Sequence, residues 1–477
     1  MTSFSSAATL DKLSGTDPNR RVLLTGARII TMGAQGVVEG DVLITGDTIS
    51  EVGPGLADRV GDAIVVDVTG AIIIPGLIDS HIHAWEGQLR GIAPDADFGN
   101  YMAMTHDGLA KSYRPEDIAI AERLTAAQAI NAGTTTIIDN SHNSRTAEHS
   151  DAAIEALLST GLRAVYAAGS AQAGEHDHQL PQDLLRLRDE YFSGKQDLVT
   201  LRMFDIQPSI ESWTFAADNG FDVCAEMGMW IPDLDELIAS GLMREGHTYN
   251  HCSGISADAW KAIADSGAAI NLVPRSDSHF GLGAFTPVLE ANRYGLQEGI
   301  SSDNETSYGH DLFTEMRTLL TIQRGLSFAE EFSGATSFPD RYGVMDVLRA
   351  ATVGGAINAG QQAQVGTIEA GKKADLVVLA LDTVTTRLWG SVVGTVVNYA
   401  GVSNVDTVFI NGQVKKWGGD LVGVDYDALV REGEQSREYL LDSYGSSLEE
   451  ARVGLTHDVD EDVANDAINS IVSTSGH

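Results

Sequence analysis

In the run AIIIPGLIDSHIHAWEG (71–87), apolar residues lead through Pro75-Gly76 and Leu77-Ile78 to Asp79, and then to His81, Ile82 and His83. Side chains two apart on an extended strand share a face, so both imidazoles can converge on one cation about 2 Å away. A lone HxH is common, and hydrogen-bonded or surface histidines are its ordinary alternative. The buried-type strand ahead of it favours ligation, because two adjacent imidazoles are costly to bury without a partner. Asp139, Glu226, His251 and Asp303 also stand at the ends of apolar, strand-like runs. A carboxylate can ligate zinc, iron or manganese or accept a proton, and an imidazole can ligate or move a proton. The set therefore suits hydrolysis by cation-activated water. Each residue has a plain alternative: Asp303 could cap the next helix, and His251 could be a core histidine bonded to backbone.

These residues are spread over more than 200 positions, so the elements between them must bring them together. The segment Pro115 to Ala132, with Pro115 suited to a first turn and apolar Ile118, Ala121 and Leu124, stops at Gly133 and feeds the strand Thr135 to Asp139. The same helix, glycine and strand punctuation recurs at Gly161, Gly220, Gly267 and Gly299. Repeated units of this kind predict a parallel sheet covered by helices. A closed barrel brings every strand end to one mouth, whereas an open sheet uses mainly its switch point, and the polar strand ends therefore predict an α/β fold, a (β/α)₈ TIM-type barrel. No GxGxxG fingerprint follows the first strand, which weighs against nucleotide binding.

Short β-branched runs between glycines occur at Val22 to Leu24, Ile29 to Thr31, Val42 to Thr45 and Ile64 to Val68. The texture returns in ADLVVLALD (374–382), VVNYA (396–400) and VDTVFINGQVKKWGG (405–419), where Asn411-Gly412 is a hairpin turn. The expected organisation is a flexible tail (1–20), a small composite β-sandwich module (21–74 plus 366–425), a barrel (75–365), and a helical extension with an acidic tail (426–477). Leu429, Leu440 and Leu441 of that extension are placed to pack on the barrel or on a second subunit.

With 31 basic against 67 acidic residues the net charge is -36, so nucleic acid is not an expected partner. Solubility or salty surroundings account for the acid more simply than steering of a cationic substrate. Cys224 and Cys252 are too few for a disulfide framework or a thiolate zinc site. Residues 1–20 lack the pattern of a signal peptide, and no apolar run is long enough for a membrane span. A cytoplasmic protein without a membrane partner is expected.

The marks PGLIDSHIH (75–83), AGTTTIID (132–139), VPRSDS (273–278), SSDN (301–304) and GTIEAGKKADLVVL (366–379) resemble those of the amidohydrolase superfamily. The likeness is to the group of cytosine and guanine deaminases, adenosine-analogue deaminases and triazine hydrolases, and it runs in order over roughly residues 20 to 420. It implies a barrel with a β module from both chain ends, and a metal that activates water. By this resemblance His81 and His83 match the first ligand pair. Asp303 matches the aspartate after the eighth strand that binds metal and accepts a proton, and His251 the sixth-strand histidine that faces the substrate. Asp139 could orient a ligand histidine. The resemblance also makes a homodimer plausible.

The fifth strand departs from this pattern. Deaminases of the group usually place a histidine ligand there and a glutamate three residues on; here Glu226 stands at the first position and Met229 at the second. Glu226 can replace the imidazole as a ligand, serve as a proton shuttle, or be structural. The stretch LVTLRMF (198–204) offers no lysine for a carbamate bridge, which favours one divalent metal, zinc first, with Fe²⁺ or Mn²⁺ as alternatives. Trp85, Tyr101, Trp230 and Phe280 are placed to wall a pocket for a flat ring, and Trp85, His142, Trp230 and His279 are candidate substrate contacts. The expected reaction is hydrolysis of a C–N bond, by deamination or amidine/amide cleavage, in a small cyclic nitrogen compound. Dechlorination or another leaving-group displacement on an activated heteroaromatic ring is the alternative. A non-catalytic barrel that keeps its metal for protein contacts is a further one, resting on the altered fifth strand.

Overall fold

The computed structural model describes residues 6–453 apart from 16, 175, 178–179 and 195–197. Eight parallel strands follow one another in chain order: β1 (Leu77–Ile82), β2 (Thr134–Ser144), β3 (Arg163–Ser170), β4 (Val199–Asp205), β5 (Val223–Gly228), β6 (Thr248–Ser253), β7 (Ala269–Leu272) and β8 (Glu298–Ile300). A parallel bridge between Ile82 and Asp303 brings the last strand to the first. Two backbone bonds complete it, His83 N to Asp303 O at 2.8 Å and Asp303 N to His81 O at 3.0 Å. The closure is the TIM-type barrel that the polar strand ends required, and it seats three candidate ligands at one seam.

The helix–glycine–strand units form largely as expected. Helices Ala147–Thr160, Ile210–Asn219 and Ala257–Ser266 end on Gly161, Gly220 and Gly267 at φ of 68°, 73° and 74°, a conformation that a missing Cβ permits. The eighth unit differs. Its turn glycine is Gly295, at φ 65°, while Gly299 lies inside β8.

All candidate site residues belong to one compact unit, made of residues 81–126, 138–310 and the helical stretch from 425. Within it, Leu440 and Leu441 of helix Tyr426–Tyr444 are buried against their own chain, and Gln88 donates to the Ser436 hydroxyl. The acidic end expected over the last residues, 454–477, lies outside the described residues.

The other unit, residues up to 80, 127–137 and 311–424, contains a nine-stranded mixed sheet. Its strands come from the two separated stretches that share a β texture, with Ile72–Pro75 pairing antiparallel to Leu376–Leu379. Alternate residues such as Leu24, Ile29, Ile73, Leu376 and Phe409 build its core. Asn411 and Gly412, at φ 50° and 73°, turn the expected hairpin.

Two expectations are corrected. VVNYA is not a strand: Val392–Asn398 is a helix, capped by the Ser391 side chain, and its valines 393, 396 and 397 fall on one buried face. The stretch expected as a loose tail carries helix Ala7–Leu13, whose Leu13 is buried, and Arg20 donates to carbonyl oxygens of Leu13, Gly15 and Gly412. Among the described residues no helix is long and apolar enough to cross a membrane.

Candidate metal centre

The sharpest local geometry lies where β1 ends. His81 Nε2 and His83 Nε2 are 3.2 Å apart, and each is 3.3 Å from Oδ1 of Asp303. On the other side, His81 Nε2 lies 3.2 Å from Oε1 of Glu226, whose Oε2 lies 3.1 Å from Nε2 of His251. The structure thus brings together all five residues that the sequence offered for metal and proton work, although β5, β6 and the segment after β8 supply three of them.

Backbone irregularities aim two of these side chains. His251 and Cys252 both have left-handed backbones, φ 61° and 56°, where the β5–β6 register slips between Met227 and Gly228. Asp303 is left-handed as well, at φ 71°. Such conformations cost of order 1–3 kcal/mol each and persist where the surroundings over-determine them, a pattern typical of functional sites.

The donor set fits a divalent cation. Nδ1 of His83 lies 2.9 Å from the carbonyl oxygen of Asn140, which can only accept, so Nδ1 carries a proton and Nε2 is the nitrogen that faces the cluster. Two possible ligand triads share His81, one with His83 and Asp303 and the other with Glu226 and His251, and their donor types suit zinc, iron or manganese. Electrostatics point the same way. Burial would raise the Glu226 carboxyl, yet His81 and His251 hold it well below the ordinary range; His81 and His83 likewise hold Asp303 down. Burial would lower His83, but Asp303 raises it to about 9. The carboxylates and imidazoles thus hold one another charged.

Supporting groups surround the cluster. Nδ1 of His251 lies 2.8 Å from Oδ1 of the buried Asp277, and the Ser276 hydroxyl donates to Oδ2 of Asp303. Both residues sit in the VPRSDS segment, at the start of helix Pro274–Phe280. The sequence marked that segment only as a likeness, with no role for either residue. Asp139 is mid-strand in β2 rather than at its end, and its Oδ1 accepts from the Ala84 backbone N–H at 3.1 Å. It therefore holds the turn after His83 and not a ligand ring. Burial raises the Asp139 carboxyl to about 7.

A cavity opens onto the cluster. Phe98, Tyr101, Met102, Trp230, Phe280 and Leu282 make its apolar wall, with Tyr101 stacked on Phe280 at 4.8 Å. The Tyr101 hydroxyl does not reach for a ligand, because it donates to the buried Glu86 at 2.6 Å. His142 lines the cavity, its Nε2 3.0 Å from Nδ1 of His83. Two candidate contacts are corrected. Trp85 is fully buried behind the wall, edge-on to His106 and His142, because the turn at 84–89 folds inward. His279 is exposed on the outer side of its helix, beside Tyr308, and lies outside the cavity lining. The sequence missed His106, which lines the cavity and has no motif around it.

Comparison with known proteins agrees with this architecture. The chain is 24% identical over 449 residues to a 5-methylthioadenosine/S-adenosylhomocysteine deaminase of Desulforudis audaxviator, an alignment covering 89% of this chain and all of that one. An adenosine deaminase from Xanthomonas campestris with bound zinc superposes with a TM-score of 0.77 at 22% identity, over 88% of this chain and 98% of that chain. The zinc complex of atrazine chlorohydrolase from Arthrobacter aurescens gives the same TM-score at 22% identity, over 87% and 99%. These two structures share the fold. The profile of the amidohydrolase family matches residues 72–231 and 233–415, and the chain accordingly belongs to the amidohydrolase family, a family of metal-dependent hydrolases.

Proposed function

We propose that the protein is a one-metal hydrolase that deaminates, or opens the amidine or amide bond of, a small, neutral, cyclic nitrogen compound. The observation that carries this is that His81 Nε2 lies within 3.3 Å of His83 Nε2, Asp303 Oδ1 and Glu226 Oε1, beside an apolar cavity lined in part by His83, Glu226 and Asp303. These four residues are the proposed ligands, with zinc the favoured ion. A divalent cation there supplies Lewis acidity, making water a nucleophile near neutral pH.

The chain's own groups do the rest. Asp303 accepts the proton of the attacking water, its second oxygen steadied by the Ser276 hydroxyl. Glu226 bridges: one oxygen faces His81, and the other lies 3.1 Å from Nε2 of His251. His251, held from behind by Asp277, delivers a proton to the departing nitrogen or to the developing oxyanion. The apolar wall excludes water and seats a flat ring against Tyr101 and Phe280.

A second reading is displacement of chloride from an activated heteroaromatic ring. It is favoured by Met229, exposed where deaminases of the group carry a glutamate, since a better leaving group needs less protonation. The free, buried cysteines Cys224 and Cys252 suit the cytoplasm, and a homodimer is expected, which analytical ultracentrifugation will test.

The deciding experiment is metal analysis joined to turnover of 5'-methylthioadenosine, cytosine, a cyclic amidine and atrazine. One equivalent of metal with ammonia or amine release supports the first reading, and chloride release alone supports the second. Bound metal without turnover of any of them would overturn both.

A further inference from the structure

His106 is a polar residue of the cavity that the chemistry above does not use. His106 follows helix Phe98–Thr105, is 4% exposed, and lines the cavity that opens onto the ligand cluster. Its tautomer can be read from its neighbours. The Thr105 hydroxyl donates its single proton to the carbonyl of Tyr101 at 2.6 Å. At 2.7 Å from Nδ1 of His106 the same oxygen must therefore accept, so the imidazole proton sits on Nδ1. Nε2 is left with its lone pair and with no protein partner among the described residues.

The ring is also fixed in orientation. It stacks on His142 at 4.9 Å and 9°, and Trp85 meets it edge-on at 5.5 Å. Burial, with His83 nearby, lowers its pKa to about 3, so it is neutral throughout the physiological range. Around it the cavity wall is apolar, which makes this nitrogen a rare polar feature away from the cluster.

We propose that His106 is a specificity-determining residue, a hydrogen-bond acceptor of fixed tautomer that selects planar nitrogen heterocycles presenting an N–H or O–H donor at that wall. A ligand that offers an acceptor or a methyl group there leaves a desolvated lone pair unmatched, and polar sites of this kind reject such analogues strongly. The proposal rests on the reading that this cavity receives the substrate, and adds which edge chemistry it accepts.

The test is calorimetric binding of two neutral triazines to the metal-loaded full chain: 2,4,6-tris(methylamino)-1,3,5-triazine, which has N–H donors, and its hexamethyl analogue, which has none. In the wild type the N–H compound is expected to bind roughly tenfold tighter or more. His106→Phe should reduce that ratio roughly tenfold, and His106→Gln, which offers an amide oxygen, should keep part of it. Thr105→Val leaves the imidazole in place but removes the group that fixes its tautomer, so the ratio should fall there too. The difference in ligand bulk persists in every variant, so only the change in ratio reports the hydrogen bond. An unchanged ratio in His106→Phe and Thr105→Val, or no binding of either compound by the wild type at millimolar concentration, overturns the proposal. Hydrolysis does not enter the measurement, so lack of turnover counts against the proposed function and leaves the binding ratio standing.

Discussion

Oδ1 of Asp277 lies 2.8 Å from Nδ1 of His251, and Asp277 is wholly buried behind the ring. The pair joins the start of helix Pro274–Phe280 to the strained end of β6, where His251 takes a φ of 61°. A carboxylate so placed fixes which nitrogen of the imidazole faces Glu226.

Asp277→Asn keeps the volume and removes the charge. It is expected to lower kcat by about 10- to 100-fold with KM and bound metal little changed. Steady-state kinetics with metal analysis checks this; loss of metal in parallel with activity would show a purely structural role.

Glu226→Gln separates ligand from shuttle. As a ligand, Glu226 should take metal affinity with it, by about 10- to 100-fold in a competition titration with a chelator. His83→Ala should likewise lose metal and activity together. Full metal retention with kcat lost in Glu226→Gln would make Glu226 a shuttle only.

Gly76 belongs to the turn that launches β1. A Cβ there would run into Oγ1, Cγ2 and Cβ of Thr135, which is buried and cannot withdraw. Gly76→Ala should destabilise the fold by about 1–3 kcal/mol, read as a lower urea midpoint. An unchanged midpoint would refute the close approach.

His247 lies outside the metal cluster, against Trp213 and Tyr249, and burial lowers its pKa to about 3. The folded state thus holds it neutral while the unfolded chain takes up a proton below about 6.5. Its contribution is complete above pH 6.5 and is lost as pH falls from there towards 3. Between pH 7 and 5 this group should cost about 2 kcal/mol, since each pH unit below 6.5 is worth about 1.4 kcal/mol. His247→Gln should flatten that part of the stability profile in urea melts; equal slopes in both proteins would exclude it.

Much of this was written locally. His81 and His83 share a face because extended chains repeat every two residues, and Gly161, Gly220 and Gly267 stop helices because they alone take positive φ cheaply. Asn411-Gly412 forces its hairpin for the same reason. Such signals need only near neighbours, and they marked the helix ends and strand ends that the barrel brings together.

What the tertiary structure decided involves partners far apart in sequence, or residues whose type suits more than one role. VVNYA reads as a strand by composition, but Ser391 and a buried face made it a helix. Trp85 and His279 were both candidate substrate contacts, yet one turned inward and the other outward. Nothing in the chain announces that Asp277 will meet His251, or that Ser276 will meet Asp303. Those contacts arise because closing eight strands into a ring puts distant side chains within hydrogen-bond range, a constraint that no local pattern contains.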